Sequence, residues 1–538
     1  MKEKLLNALL VICFISATQL HAQDRSISYM TSGGKLNPLQ AIVDIRHYTL
    51  ALDVDIERQQ INGYTSIDLL LSQPTDTLLF DLVHLLTVKK ITVNKKDAAF
   101  FQKDDHIFIT GSKSFQPGKQ TVKIEYGGQP PVAVKPPWKG GFTWAKDQHG
   151  NPWVVINCQL EGAKVYFPCK DHPSDEPNEG ADLLITVPNG LTVAGPGLLQ
   201  GVNKKKNKTT FHWKTNYTIS NYCILFDIAK YKVVNSEYTT IEGNNVPVMF
   251  YVLEEDTAYA AHVIELRKRD TRILEKYFGE YPWIKEKIGI AQVPNPGMEH
   301  QTMITYGDRF TYKKVNGQDY SDNLFHEFGH EWWANKVTNK DWAHMWIQEG
   351  INTYAEGLFY REVAGEHGYD SMMQAFKRSI KNEKPVVQGE AVNSGDTYTG
   401  DLYVKGAFFM HTLRCVLGDS IFFPTLKELA TNPAYTYNNF VTTDDVEQLF
   451  SKRSGQNLKP LFDFYLRTTE RLEITVRQSG PEEYIVAAGN FPMPLPVEIV
   501  SDAGTQKVMM DNKPVKIKSK TFPVVDGRGC YCKKVILL

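Results

Sequence analysis

The sequence predicts a multidomain α+β protein, with an N-terminal antiparallel β domain, a mainly helical domain and a small C-terminal β-sandwich. Apolar and polar residues alternate along much of residues 27–250 and again after residue 469, as they do in half-buried strands. Between these stretches, apolar residues recur at helical spacing. We therefore predict domains at residues 23–253, 254–469 and 470–538.

The first domain is predicted from strands with an apolar residue at every second position. Residues 47–55, 63–71 and 119–126 have this pattern, which suits a sheet with one buried face. Turn-forming clusters separate the runs, for example Gly127-Gly128 and the Pro-Asn-Gly of residues 188–190. These features favour a large antiparallel domain.

The middle domain is predicted from apolar residues spaced three and four apart. Its first helix lies within residues 258–278 and stops before Gly279 and Pro282. One short strand follows at residues 288–293. The later helix candidates are residues 322–335, 345–363, 370–382, 404–417 and 443–454.

The last domain is predicted from the return of short apolar runs. Its length of roughly 70 residues is enough for one small sandwich. The strand candidates are residues 472–476, 484–488, 497–500, 508–510 and 535–538.

The composition is that of an ordinary globular protein, with 22% charged and 42% hydrophobic residues and a formal net charge of −1. The densest basic cluster, residues 204–206, has Asn on both sides and is interpreted as a solvated turn. The sequence therefore argues against nucleic acid as a partner.

The first 22 residues have the pattern of an export signal. Lys2 and Lys4 precede an apolar run, residues 5–15, that is too short to span a bilayer, and Ala22 suits cleavage. We expect an exported protein, periplasmic or secreted, with no membrane span in the mature chain. Of the seven cysteines, Cys13 lies in this segment, and the sequence does not pair the others.

A His-Glu-x-x-His pattern at residues 326–330 predicts a metal site. His326 and His330 lie one helical turn apart, so both imidazoles can reach one Zn²⁺ at bond lengths of about 2.0–2.1 Å. Glu327 lies beside the position that water would take and is a candidate general base. Glu349 follows after 18 further residues and is a suitable anionic third ligand. The alternative is a pair of core histidines on a buried helix.

Two more residues are candidates for catalysis or binding. The phenol of Tyr403, at the start of a predicted helix, could donate to an oxyanion. Glu299, after the predicted strand, could accept a substrate ammonium, and Gly297 permits close approach of a ligand. On spacing alone, a packed tyrosine and an exposed turn glutamate are the simpler interpretations.

Four motifs together resemble the M1 family of zinc aminopeptidases, the group of aminopeptidase N and leukotriene A4 hydrolase. Residues 326–335 and WIQEG at residues 346–350 are similar to the family's HExxH-x18-E and W-L-N-E-G blocks. YVKGA at residues 403–407 is similar to Y-x-K-G-A, and residues 159–169 resemble the stretch ending A-R-x-x-F-P-C. The resemblance implies a thermolysin-like catalytic domain between the two β domains.

The resemblance also implies a role for each site residue and one zinc ion per chain. It divides them into metal ligands (His326, His330, Glu349), catalytic residues (Glu327, Tyr403) and substrate-binding residues (Gln159, Gly297, Met298, Glu299, Tyr398). Glu299 and Gln159 would hold the substrate α-amine. Tyr398 falls where leukotriene A4 hydrolase has a further active-site Tyr, and Glu356 matches an acid that orients a zinc-binding His.

The sequence departs from the family pattern next to the predicted amine site. The family's G-A-M-E-N motif reads Pro-Gly-Met-Glu-His at residues 296–300, Lys164 replaces an Arg, and Gln348 replaces an Asn. Glu299 is retained, which implies that amine binding is retained, whereas Pro296 and His300 leave the side-chain specificity open. We also expect no size exclusion of substrates, since the sequence lacks the long helical C-terminal domain of many members.

The function predicted is that of an exported zinc aminopeptidase acting on peptides with a free N-terminus. One alternative is a zinc-binding but catalytically inactive interaction protein, against which the retained base, ligands and Tyr403 argue. Another is an endopeptidase or epoxide hydrolase that uses the same zinc site. Assays of N-acetylated beside free peptides distinguish the endopeptidase.

Overall fold

The computed structural model of the protein describes residue 27 and residues 29–538. The predicted export signal, residues 1–22, lies outside the described residues. Among the helices that are described, none is both long and apolar enough to cross a membrane.

The N-terminal region consists of strands after one short helix, α1 (Pro38–Ala41). The strands are β1 (Val43–Asp55), β2 (Gln60–Leu71), β3 (Thr75–Asp81), β4 (Leu86–Val93), β5 (Lys96–Asp97), β6 (Ala99–Lys103), β7 (His106–Phe115), β8 (Gly118–Gly128), β9 (Gly141–Lys146), β10 (Pro152–Asn157), β11 (Ala181–Pro188), β12 (Thr192–Ala194), β13 (Leu198–Lys205), β14 (Lys208–Thr215) and β15 (Asp227–Ala229). Buried and less buried residues alternate along β1 and β11, as the sequence pattern predicts. The predicted β-rich N-terminal domain is confirmed.

These strands form a large sheet in the order β13-β14-β11-β1-β2-β8-β4-β5 and two smaller ones, β12-β15-β10-β9 and β3-β7-β6. The predicted antiparallel arrangement is wrong for one pair of strands, because β1 and β11 pair in parallel. The chain leaves the large sheet after β8 to build β9 and β10, and it returns with β11 beside β1. A connection of this length allows a parallel pair, whereas a tight hairpin does not.

A separate four-stranded sheet connects the N-terminal β region to the helices. It contains β16 (Tyr231–Thr239), β17 (Asn245–Leu253), β18 (Ile288–Gln292) and β19 (Ile304–Tyr306) in that order. The strand predicted at residues 288–293 is therefore not alone, and the sheet crosses the predicted boundary after residue 253. The short hairpin of β20 (Lys313–Val315) and β21 (Gln318–Tyr320) follows.

The helical region carries the candidate site. Its elements are α2 (Ala260–Phe278), α3 (Asp322–Gly329), β22 (Thr338–Asn339), α4 (Trp346–Ser379), α5 (Ser394–Thr397), α6 (Asp401–Leu417), α7 (Asp419–Thr431), β23 (Phe440–Val441), α8 (Thr443–Ser454) and α9 (Lys459–Arg467). Two predicted helices belong to α4, which kinks at Gly365, where φ is 69° and ψ is −170°. The predicted helical region is confirmed, with α5, α7 and α9 as additions.

Helices α4 and α6 cross at two glycines. A Cβ atom on Gly350 would lie 2.7 Å from the Cα of Gly406, and one on Gly406 would lie 2.8 Å from the Cα of Gly350. The close crossing brings the neighbouring Glu349 of α4 and Tyr403 of α6 to the same cavity.

The C-terminal region consists of two sheets and is tied to α6 by a disulfide. Its strands are β24 (Leu472–Gly480), β25 (Glu483–Ala488), β26 (Leu495–Ser501), β27 (Gly504–Met510), β28 (Val515–Lys518), β29 (Val524–Val525) and β30 (Lys533–Leu537). The sheet orders are β28-β25-β24-β30 and β27-β26-β29. Their buried residues share one apolar core with the helices, and Cys530 is bonded to Cys415 of α6.

Candidate active site

The candidate active site begins on α3. The Oγ of Ser321 caps this helix by accepting a hydrogen bond from the N–H of Leu324, at 3.0 Å. His326 lies in the helix, and His330 follows its last residue with a helical backbone, φ −63° and ψ −15°. The helix therefore ends earlier than the predicted residue 335, yet both imidazoles lie on one face.

The three predicted metal ligands converge on one point. Nε2 of His326 and Nε2 of His330 are 3.1 Å apart, and they lie 3.5 and 3.4 Å from Oε2 of Glu349. A tetrahedral zinc ion with bonds of about 2.0–2.1 Å separates its ligand atoms by about 3.3 Å. The three distances fit that geometry.

The hydrogen bonds of the two rings indicate that the converging atoms are free to bind a metal. Nδ1 of His330 lies 2.8 Å from the carbonyl oxygen of Trp333, which can only accept, so Nδ1 carries the proton and Nε2 a lone pair. Nδ1 of His326 lies 2.8 Å from a carboxylate oxygen of Glu356, with the same consequence. Oε2 of Glu349 is buried and has no hydrogen-bond partner among the residues that the structure describes. Two lone pairs and a carboxylate that face each other in this way fit a metal cation bound between them.

Glu327 lies beside this cluster and is held by a neighbour on its own helix. Nδ2 of Asn323, one turn earlier, donates to Oε1 of Glu327 at 2.9 Å. Burial raises the pKa of Glu327 to about 8, and the nearby His326 opposes this shift. A zinc ion bound to the three ligands would lower this pKa, because its positive charge favours the carboxylate form. The carboxylate is therefore positioned to accept a proton at the centre of the cavity.

Glu299 forms a second carboxylate site in the same cavity. Its Oε1 accepts hydrogen bonds from Nε2 of Gln159 at 2.5 Å, the hydroxyl of Tyr222 at 2.8 Å and Nε2 of Gln348 at 3.0 Å. Its backbone carbonyl accepts from Nδ2 of Asn335 at 2.9 Å. With one carboxylate oxygen held by this network, the side chain is fixed in place.

The Glu299 carboxylate lies close to the metal ligands. One of its oxygens is within 4.8 Å of both a Glu327 oxygen and a ring nitrogen of His330. Burial raises the pKa of the Glu299 carboxyl, and His330 opposes this shift. A buried, nearly enclosed carboxylate of this kind is a binding site for a small cation such as an ammonium group.

Two tyrosines close the cavity on the side of α6. The hydroxyls of Tyr398 and Tyr403 are hydrogen-bonded to each other, and the ring of Tyr403 stacks on His326 with centroids 5.8 Å apart. Burial, and next the charge of Glu349, raise the pKa of Tyr403 far above its usual value. The phenol therefore stays protonated and can donate a hydrogen bond.

All residues predicted for the site line one cavity of about 340 Å³. They are Gln159, Gly297, Met298, Glu299, His326, Glu327, His330, Glu349, Tyr398 and Tyr403. The structure thus brings together residues from the loop after β10, the loop between β18 and β19, helix α3 and its C-terminal end, helices α4 and α6, and the turn between α5 and α6.

The altered residues around Glu299 have different positions. A Cβ atom on Gly297 would lie 2.2 Å from the carbonyl oxygen of Thr305 and 2.6 Å from Oδ1 of Asn323. Packing within the protein therefore requires a glycine at this position. Pro296 lines the cavity, but His300 does not. Burial lowers the pKa of His300 to about 3, so its ring is neutral.

Sequence reasoning missed Tyr222 and Asn323 as site residues. Tyr222 lies in a region without a motif and reaches Glu299 only through the fold, so no local signal could have found it. Asn323 lies four residues before Glu327, a helical spacing that could have predicted the contact. Gln348 was visible as a departure from the family Asn, and it donates to Glu299.

Two family matches cover both halves of the chain. Residues 45–223 match the Peptidase M1 N-terminal domain, and residues 263–465 match the Peptidase family M1 domain. The chain belongs to peptidase family M1. This confirms the resemblance, and the metal of the site is zinc, as predicted.

The M1 chain is similar to several named relatives. Aminopeptidase 2, mitochondrial, of Saccharomyces cerevisiae is 22% identical over 468 residues, which is 81% of this chain and 47% of the yeast protein. Leukotriene A-4 hydrolase of Xenopus laevis is 25% identical over 342 residues, 60% of this chain and 52% of the frog protein. The chain spans about half the length of these relatives.

A solved structure has the same M1 fold. The M1 zinc metallopeptidase from Deinococcus radiodurans superposes with a TM-score of 0.65 at 20% identity, over 83% of this chain and 97% of the other. A point mutant of that metallopeptidase, bound to a Tyr-Ser-Ala substrate, has the same TM-score and covers 81% of this chain.

Proposed function

We propose that this M1 chain is an exported zinc aminopeptidase that removes single residues from the free N-terminus of peptides. The observation that carries the proposal is the position of Glu299, whose carboxylate lies within 4.8 Å of Glu327 and His330. The amine nitrogen and the carbonyl carbon of one amino acid are only about 2.5 Å apart. An amine bound to Glu299 therefore brings the first peptide bond to the metal cluster, and the next bond remains outside it.

The residues proposed to bind the amine are held in place before a substrate arrives. Gln159, Tyr222 and Gln348 hold one oxygen of the Glu299 carboxylate, so little side-chain entropy is lost when a substrate binds. The ammonium and the carboxylate then form a charge-assisted hydrogen bond away from bulk water.

The chemistry divides between Glu327 and Tyr403. When bound, zinc supplies a Lewis acid beside the scissile carbonyl. Glu327 takes a proton from the attacking water and passes it to the nitrogen of the departing amine, so that the C–N bond breaks and a neutral amine leaves. The Tyr403 hydroxyl donates a hydrogen bond to the carbonyl oxygen as negative charge develops there.

The relatives support a peptide substrate. The yeast relative is named an aminopeptidase, and the Deinococcus radiodurans mutant binds a Tyr-Ser-Ala substrate. An aminopeptidase acts at a free amino terminus, and the network around Glu299 suits the same group.

Export is part of the proposal. The basic start and the apolar run of residues 5–15 support it, and so does the disulfide between Cys415 and Cys530, since such bonds persist in oxidising compartments. A periplasmic or a secreted enzyme fits both observations. We also interpret the two C-terminal sheets as the small β-sandwich that the sequence predicts.

The proposed role of Glu327 is tested with Glu327→Gln. We expect the variant to retain zinc, because the three ligands remain, and to lose turnover of aminoacyl-anilides by about three orders of magnitude or more. Zinc content is measured on the same sample as the kinetics. Parental turnover in a zinc-loaded variant would refute the role of Glu327.

The proposed role of Glu299 is tested with Glu299→Gln and two matched substrates. Cleavage of a free-amine peptide should fall far more than cleavage of its N-acetylated form, because only the free amine meets the carboxylate. Equal losses on both would favour an endopeptidase. Hydrolysis of an epoxide in place of peptides would favour the epoxide hydrolase, and zinc binding without any turnover the inactive interaction protein.

A further inference from the structure

A rigid loop with an exposed tryptophan forms one wall of the active-site cavity. The loop connects β8 to β9, and its tip is Pro136-Pro137-Trp138. Pro137 is buried and Trp138 is 47% exposed, and both line the cavity that holds the zinc ligands. An indole left open to solvent at the mouth of a binding cavity offers a large apolar surface to a ligand.

Hydrogen bonds fix the tip of this loop. Lys135 and Lys139, on either side of the tip, pair through both backbone groups, with N–O distances of 3.2 and 2.8 Å. Further back, Ala133 donates to the carbonyl of Phe142, and Phe142 donates to the carbonyl of Pro131, at 3.0 and 2.8 Å. The loop is therefore closed in the manner of a hairpin, and the backbone at Trp138 is fixed before a ligand arrives.

The loop is also fixed to the amine-binding residues. The N–H of Gly140 donates to Oε1 of Glu161 at 2.8 Å, and Glu161 follows Gln159 by two residues. A Cβ atom on Gly140 would lie 2.1 Å from the carbonyl oxygen of Asn157, so the loop packs directly on the end of β10. The distance from Trp138 to the residues around Glu299 is thereby set by the fold.

We propose that Trp138 is a specificity-determining residue that contacts the side chain of the substrate's N-terminal residue. The inference rests on the proposed function. The N-terminal side chain branches from the same α-carbon as the amine, so it must lie close to Glu299 and Gln159. The cavity that Gln159 lines also has an apolar wall, formed by Leu160, Pro137 and Trp138. The side chain that fits such a wall is aromatic or a large aliphatic group.

Two lysines at the tip of the loop disfavour a substrate whose N-terminal side chain is positively charged. The ammonium of Lys135 lies 5.4 Å from the centre of the Trp138 ring, so this indole already has a cation–π contact within the protein. Lys139 adds a second exposed positive charge. An N-terminal Lys or Arg would meet like charges, whereas Phe, Tyr or Leu would not.

The test compares kcat/KM of the wild type and Trp138→Ala on a panel of aminoacyl-anilides. We expect the value to fall about tenfold or more for Phe and Leu substrates and less than about threefold for Ala, because a small side chain does not reach the indole. Trp138→Phe should recover most of the loss. Phe101→Ala, at a residue that is 50% exposed outside the cavity, is the matched control and should leave all ratios unchanged.

Inhibition by free amino acids tests the contact with Trp138 independently of catalysis. Free L-phenylalanine should inhibit the wild type more strongly than L-alanine, and Trp138→Ala should remove most of that difference. An equal loss on all substrates, or an unchanged Phe-to-Ala ratio in a folded variant, would overturn the role of Trp138 while leaving the aminopeptidase intact. A zinc-loaded wild type that cleaves no free-amine substrate would overturn the proposed function and this inference with it.

Discussion

Each imidazole of the proposed zinc site has its own hydrogen-bond partner, a backbone carbonyl for one ring and a side chain for the other. His330 donates to a backbone carbonyl, whereas His326 donates to the carboxylate of Glu356. The carboxylate fixes the ring orientation and makes Nε2 of His326 a better ligand. A mutation at residue 356 can therefore change metal affinity without touching a ligand.

We expect Glu356→Gln to weaken zinc binding by about tenfold or more. The measurement is the zinc retained as a chelator is titrated. Glu362→Gln, which removes a carboxylate from a more exposed part of the same helix, is the control. Identical chelator curves for both variants would show that the Glu356 contact does not contribute to affinity.

A second prediction concerns the contact between Asn323 and Glu327. Asn323→Leu removes the donor that fixes the carboxylate, so kcat should fall by about tenfold while zinc content and KM stay near the parental values. Steady-state kinetics with metal analysis checks this. A variant that loses zinc, or changes only KM, would contradict a role in positioning the base.

The buried Asp227 gives the protein a pH-dependent stability. Its side chain is fully buried, and within the described part of the chain its Oδ2 has no hydrogen-bond partner. Burial raises the pKa of this carboxyl to about 8. The unfolded chain releases this proton near pH 4, so between about pH 4 and 8 the folded state holds one proton more. The contribution of Asp227 to stability therefore falls as the pH rises through this range.

Asp227→Asn should remove this dependence. The melting temperature of the variant relative to the wild type should increase from pH 5 to pH 8, since asparagine carries no proton to lose. Asp104→Asn, at an exposed carboxyl, is the control. A constant difference between wild type and variant across this range would contradict the prediction.

At the scale of elements, the two glycines at the crossing of α4 and α6 explain a pattern in the motifs. The blocks at residues 346–350 and 403–407 each contain one of these glycines, close to the residue that the site uses. The helices can approach closely only because neither glycine has a Cβ atom. The crossing thus determines the distance from Glu349 to Tyr403.

Gly406→Ala should separate the two helices. Overpacking of this kind costs about 1–3 kcal/mol of stability, and we expect losses of both zinc affinity and kcat, since each helix carries a site residue. Gly400→Ala is the control, because a Cβ atom there would meet open space. Full activity in Gly406→Ala would mean that the crossing adapts without moving the site.

The elements also indicate how far the sequence predicts the fold. The helix α8 begins and ends as predicted, because a capping box at Thr442 and a left-handed Gly455 define its ends. The strands β19, β20 and β21 were not predicted, because three residues are too few to reveal a period of two. The helix α7 contains Pro424, which argues against a helix locally, yet packing in the core stabilises it.

At the scale of the whole molecule, the proposed metal ligands were predictable because they are close in the sequence. The residues of the proposed amine site were only partly predictable. Its residues come from both halves of the chain, Gln159 and Tyr222 from one and Glu299 and Gln348 from the other. Only long-range packing brings them together. Motifs predicted Glu299 and Gln159 for this site and showed Gln348 only as a replacement of the family Asn, whereas Tyr222 belongs to no motif.

The disulfide between Cys415 and Cys530 spans 115 residues of sequence and should stabilise the protein by about 2–4 kcal/mol. We expect a reducing agent to lower the melting temperature of the wild type. A Cys415→Ser, Cys530→Ser double variant should show the lower value with or without the reductant. Equal melting temperatures for the wild type in both conditions would contradict this contribution.

The same bond has a consequence for proteolysis. Residues 469–471, between α9 and β24, are exposed and end in Arg471, a cleavage site for trypsin. A cut there falls between the two cysteines, so both fragments would stay covalently joined. The nicked protein should migrate as one band on a non-reducing gel and as two on a reducing gel, with the C-terminal fragment still held against the helix that carries Tyr403.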